Sequence, residues 1–107
     1  MSNLPLMHVE DLKERIDAGT APFLLDVREP NEYAICNLGA LLIPLNDLPR
    51  RIAELDPQRE TVVHCRSGSR SAMAVEFLLA NGFKDVKNLA GGILAWSAKI
   101  DPSMPQY

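Results

Sequence analysis

The chain has 107 residues, 47% of them apolar, and a formal net charge of −3. That length suits one domain, residues 1–107, with a core large enough to fold without disulfide or metal staples. The charge balance lacks the basic surplus of a nucleic-acid or anionic-membrane binder, no run of about 18 apolar residues marks a membrane span, and Cys36 and Cys65 fall in no zinc-ligand spacing. Met1–Met7 contains no basic cluster followed by an apolar run. These features predict a reduced, cytoplasmic protein with neither metal nor cofactor.

Short apolar runs alternate with helical stripes along the chain, the pattern of a parallel sheet covered by helices. After Leu6-Met7, the residues Val9, Leu12 and Ile16 recur at helical spacing and Gly19 supplies a left-handed stop. Phe23–Val27 reads as a strand ending among the polar residues Asp26, Arg28 and Glu29. Pro30–Leu38 reads as a short helix or turn, and Ala40–Ile43 as a second strand. Asn46 or Asp47 is the candidate cap of a helix carrying Leu48, Ile52 and Leu55 and closed before Pro57. Thr61–His64 is the clearest strand, because β-branched residues suit a buried pleated surface. Ser71–Ala80, apolar or small except for Glu76, predicts a helix with little solvent-facing surface. A last strand at Asp85–Leu89, the pair Gly91-Gly92 and a helix from Ile93 to about Lys99 follow. The tail Asp101–Tyr107, with two prolines, is expected to lie extended.

The best strand and the best helix are joined by His64-Cys65-Arg66-Ser67-Gly68-Ser69-Arg70-Ser71. In open parallel sheets, ligands bind beyond the carboxyl ends of strands, where loops meet helix N-termini. The amides of Arg66, Ser67, Gly68, Ser69 and Arg70 have few intrahelical partners, and a tight loop turns several inward as an anion-binding nest. Cys65 lies at the focus of those amides, the helix dipole and two arginines, surroundings that favour a nucleophilic thiolate. Gly68 permits the backbone reversal. The alternative is an inert core cysteine at a strand end, which the flanking Arg-Ser-Gly-Ser-Arg argues against.

Such a loop serves phosphate or sulfur chemistry, and its length bears on the choice. Tyrosine-type phosphatases place one residue more between nucleophilic cysteine and arginine. Here four residues separate Cys65 from Arg70, and Ser71 stands where the phosphatase arginine would be. The smaller ring suits a single extra sulfur atom on Cys65, formed by attack on a donor and passed to an acceptor without a separate general base.

At this loop the sequence resembles the rhodanese-like sulfurtransferase family. Leu25–Pro30, Glu32-Tyr33, Ile43–Leu45, Leu89–Ile93 and Ala95-Trp96 agree with it as well, so the likeness spans nearly the whole chain. The tail Ile100–Tyr107 resembles the end of rhodanese domains fused behind adenylyltransferases of molybdopterin and thiamine sulfur transfer. The resemblance implies an α/β fold with a central, mostly parallel five-stranded sheet and helices on both faces. It implies a persulfide-bearing nucleophile at Cys65, a binding loop over Arg66–Arg70 and supporting roles for Asp26 and Arg28, with Asp26 holding a loop arginine or amide. Implied partners are a small anionic sulfur donor and, in that branch, a sulfur-carrier protein or an adenylyltransferase; the chain itself holds no adenylyltransferase portion. Where many members read Glu-(Tyr or Phe)-x-x-Gly-His-Ile-Pro-Gly-Ala, this sequence has Ala34–Ala40 after Tyr33, with Cys36 and Asn37 in place of glycine and histidine.

Other residues have two readings each. Cys36 is a resolving thiol for Cys65 or a small filler beside Ile35 and Leu38, and filler is the commoner fate. His64 precedes Cys65 on a strand, so its ring points to the opposite face and reads as a satisfied packing histidine. His8 helps begin the first helix, Trp96 fits a core-facing stripe with Ile93 and Ile100, and Arg50-Arg51 is a solvated pair or a docking patch for an acidic carrier. A partner-docking module without catalysis is the competing function, and the loop cysteine argues against it.

Overall fold

The computed structural model describes residues 4–107, so the first residues of the Met1–Met7 segment lie outside the described residues. In chain order the elements are β1 (Leu6–Met7), α1 (Val9–Asp17), β2 (Phe23–Asp26), α2 (Pro30–Ile35), β3 (Leu41–Leu42), α3 (Leu48–Arg51), β4 (Thr61–His64), α4 (Ser69–Ala80), β5 (Val86–Leu89) and α5 (Gly92–Lys99). All four strand pairs are parallel, in the order β1-β5-β4-β2-β3. The sheet is therefore wholly parallel, and its central strand, β4, leads into Cys65.

Alternation along the strands feeds a separate core on each face. Leu25 and Val63 pack with Ala74, Val75 and Leu78 of α4 and with Ile43, Leu48 and Phe83. Leu24 and Val62 turn to the other face, toward Val9 and Leu12 of α1 and Trp96 of α5. Trp96 is thus a core residue, as its spacing indicates. Beyond its regular span β2 stays joined to both neighbours, with Val27 N–H donating to His64 O of β4 and Ile43 N–H, just past β3, donating to Asp26 O.

Four expectations need correction. The single helix expected over Leu48–Leu55 is only one α-turn flanked by 3-10 turns at Leu45–Asp47 and Ile52–Glu54. Pro49, with no N–H for the Leu45 carbonyl, separates the first 3-10 turn from α3 and sits in the first turn of α3, where proline is tolerated; the chain tightens to 3-10 again at Ile52. Asp47 makes no cap bond; it pairs with Arg50 at 3.3 Å, and Arg51 pairs with Glu54 at 2.8 Å, so both arginines are partly neutralised locally. Helix α4 begins two residues early, at Ser69, and shows solvent a stripe of Met73, Glu76 and Ala80, Met73 being 61% exposed. The tail turns back instead of extending. Asp101 accepts from Ser103 N–H and Oγ–H, Met104 N–H donates to Asp101 O, and Ser97 Oγ–H donates to Met104 O at 2.6 Å.

Candidate active site

The strand order places Cys65 at the carboxyl end of the central strand, and α4 carries the chain away from it. Its side chain is almost wholly enclosed, at 1% exposure. Gly68 N–H donates to Cys65 Sγ at 3.1 Å and Ser71 N–H at 3.4 Å, so the first amides of α4 and its approach do converge on the sulfur. Gly68 takes φ +117°, a left-handed value that turns the chain into the helix.

The second glycine of Gly91-Gly92 locks this loop from behind. Ile93 N–H donates to Cys65 O and Leu94 N–H to Arg66 O, both at 3.0 Å, so amides at the start of α5 bind the loop's carbonyls. A Cβ on Gly92 would lie 2.5 Å from Cys65 O and 2.6 Å from Arg66 O. Only glycine permits that approach.

The loop arginines differ in their attachments. Arg70 donates to Glu32 from both terminal nitrogens, at 2.7 and 2.9 Å, a bidentate pair that fixes the guanidinium. That hydrogen-bonded pairing holds the Glu32 carboxyl well below the usual range, to about 2, against the opposing effect of burial. Arg66 lies over the Tyr107 ring, its guanidinium carbon 5.5 Å from the centroid. Arg66, Arg70, Tyr107, Glu29, Asn31 and Glu32 line an open cleft of about 350 Å³ beside the loop. Ser67 and Ser69 are exposed.

Asp26 and Arg28 lie beneath this frame, both at 0% exposure. The expectation that Asp26 holds a loop arginine or amide is not met: Asp26 binds the guanidinium of Arg28 at 2.8–3.1 Å and also accepts from Arg28 N–H. Arg28 in turn donates to Cys36 O at 2.7 Å and to Glu32 O at 3.4 Å. The buried pair thus anchors α2, and Glu32 of α2 holds the loop arginine. Sequence reasoning quoted Glu32 but gave it no such task.

His64 is fully buried, but neither ring nitrogen has a hydrogen-bond partner among the described residues, so it is not the satisfied histidine expected. Its Nε2 lies 3.9 Å from Asp26 Oδ2. Burial pushes its pKa down to about 4, with nearby Arg28 acting in the same direction and Asp26 opposing. The ring is neutral at pH 7. Cys36 Sγ–H donates to Pro105 O at 3.4 Å, which ties the residue to the tail. Two more residues complete the site, Ser71, noted from the sequence only as standing where the phosphatase arginine would be, and Asn88, which the sequence did not mark: Ser71 Oγ lies 3.3 Å from Cys65 Sγ, and Asn88 Oδ1 accepts from Ser71 Oγ–H at 2.6 Å. Among the described residues no cluster of metal-ligating side chains exists and no helix is long and apolar enough to cross a membrane.

The rhodanese-like domain family matches residues 8–99. The chain belongs to that family. It is 38% identical over 97 residues to the adenylyltransferase and sulfurtransferase of Ogataea parapolymorpha, covering 88% of this chain and 25% of that protein. A sulfurtransferase of Allochromatium vinosum is 38% identical over 89 residues, covering 82% of this chain and 83% of its own length. The crystal structure of a rhodanese-related protein from Thermoplasma volcanium superimposes with TM-score 0.78 at 33% identity, over 94% of this chain and 95% of that one. The chain spans no more than about 30% of the length of the first curated relatives it matches.

Proposed function

We propose that the protein is a sulfurtransferase that carries sulfane sulfur on Cys65. The observation that carries this reading is the convergence of the Gly68 and Ser71 amides on a nearly enclosed cysteine sulfur, beside a cleft lined by Arg66 and Arg70. Sulfurtransferase relatives support it, one of them matched over most of its length.

In the first half-reaction the Cys65 thiolate attacks the outer sulfur of the donor. The bond to that sulfur breaks, the donor leaves with the electron pair, sulfite in the case of thiosulfate, and Cys65 becomes a persulfide. In the second half an acceptor thiolate or cyanide attacks the outer sulfur, the persulfide bond breaks, and the electron pair returns to Cys65 Sγ. The amides stabilise the sulfur anion at both ends of the cycle, and Arg66 meets the anionic donor at the mouth. Asp26 and Arg28 support the loop through α2 and Glu32. Relatives named as adenylyltransferase and sulfurtransferase, or as a sulfur-carrier protein, favour a sulfur-carrier protein as acceptor. A reducing compartment such as the cytoplasm would keep Cys65 competent.

The test is turnover of thiosulfate with cyanide or a thiol acceptor. Wild type is expected to release sulfite in step with product, and Cys65→Ser to lose turnover. Full activity in Cys65→Ser removes the reading.

A further inference from the structure

The hydrogen-bond chain that ends on the catalytic sulfur has a direction, and Asn88 sets it. Asn88 Nδ2 donates to Gly68 O at 3.1 Å, which turns Oδ1 toward Ser71. Oδ1 then takes the one proton of the Ser71 hydroxyl, at 2.6 Å. Ser71 Oγ therefore meets Cys65 Sγ, 3.3 Å away, with lone pairs. The consistent partner for those lone pairs is a Cys65 S–H. Ser71 is wholly buried and Asn88 6% exposed, so bulk water does not compete freely for these bonds.

We propose that Ser71 and Asn88 are positioning residues that control the proton on Cys65. While Asn88 holds the Ser71 hydroxyl, the sulfur is kept as a thiol donating to Ser71 Oγ. When the thiol proton passes to water, the hydroxyl turns from Asn88 to Sγ and becomes a third donor beside the Gly68 and Ser71 amides. The same turn assists the second half-reaction, as the persulfide bond breaks and its electron pair settles on Sγ. The charged and titratable groups around the loop are Arg66 and Arg70, Glu32 bonded to Arg70, Glu29 in the same cleft, and the buried pair Asp26 and Arg28 with the neutral His64 beside it; β5 and the start of α5 contribute only the uncharged Asn88 and Gly92. This inference rests on Cys65 as the nucleophile, but its test uses no sulfur donor, so it can fail or stand independently of sulfur transfer.

The first measurement is the infrared S–H stretch at neutral pH, taken as a difference against Cys65→Ser. Wild type should show a Cys65 S–H band displaced to lower frequency, Ser71→Thr should keep it there, and Ser71→Ala should release it to higher frequency. The second is peptide-resolved alkylation of Cys65 by iodoacetamide at neutral pH. Asn88→Val frees the hydroxyl to donate to the sulfur and should raise the rate about tenfold, the effect of one charge-assisted hydrogen bond. The double variant with Ser71→Ala should lose that gain. A wild-type protein with no Cys65 S–H band, a band unmoved by Ser71→Ala, or a gain that survives in the double variant overturns the proposal. If Asn88→Val fails to fold, the infrared comparison decides alone.

Discussion

Replacing Gly92 by alanine should damage the Cys65 loop from a position on another element. Gly92 has φ +57°, and a Cβ there would lie 2.5 Å from Cys65 O and 2.6 Å from Arg66 O, both rigid backbone atoms already bonded to Ile93 and Leu94 N–H. The left-handed conformation alone costs an alanine about 1–2 kcal/mol. Relieving the contact means pulling α5 away from the loop or distorting the backbone, for a further ~1–3 kcal/mol. The sum is about 2–5 kcal/mol, on the order of 10 °C or more in Tm for a domain of this size. Gly39→Ala is the control: it has φ +75° with nothing within 4 Å of its Cβ position, and so bears only the conformational cost. Urea unfolding of both variants separates the two effects. Sulfur transfer, measured at a temperature where both are folded, should fall sharply in Gly92→Ala and stay near wild type in Gly39→Ala. Equal destabilisation by the two substitutions would refute the claim that α5 clamps the loop by close backbone approach.

Acid should destabilise the fold in two windows. His64 is depressed in the folded state to about 4 from 6.5, so the unfolded chain binds more protons between those values. Stability is full above pH 6.5 and falls by up to about 3 kcal/mol toward pH 4, and His64→Leu should remove that slope in urea titrations. Glu32 is depressed to about 2 from 4.5, so its contribution holds above pH 4.5 and is lost as pH falls toward 2; Glu32→Gln should flatten this lower window and, by loosening Arg70, raise KM for an anionic donor. Asp26→Ala leaves Arg28 buried without its carboxylate and should cost about 3–5 kcal/mol by thermal or chemical unfolding.

The features that sequence reasoning reached are those written in local period. Thr61–His64 and Phe23–Asp26 are short, largely apolar runs, and a strand feeding a glycine-containing loop and a helix is a local pattern, so the parallel sheet and the position of Cys65 at the carboxyl end of a strand were legible. Alternation set His64 and Cys65 on opposite faces, and in the structure Cys65 packs with Val63 in the core on the α4 side. The attachment of Asp26 to Arg28 was within reach, because residues two apart on a strand end share a face. Longer-range partners were not: Arg70 meets Glu32 across 38 residues and Ser71 meets Asn88 across 17, and no spacing rule connects them. The alternation of 3-10 and α turns over Leu45–Glu54 and the tail turn closed by Asp101 are set by individual backbone and side-chain hydrogen bonds, which periodicity does not weigh.

The most direct measurement is the intact mass of the protein after exposure to thiosulfate and removal of excess donor. The account predicts that wild type gains the mass of one sulfur atom, localised to the Cys65 peptide, and returns to its starting mass when cyanide is added, while Cys65→Ser gains nothing. A wild-type protein that turns over thiosulfate with no added sulfur on Cys65, or a Cys65→Ser protein that still carries the extra atom, would contradict it.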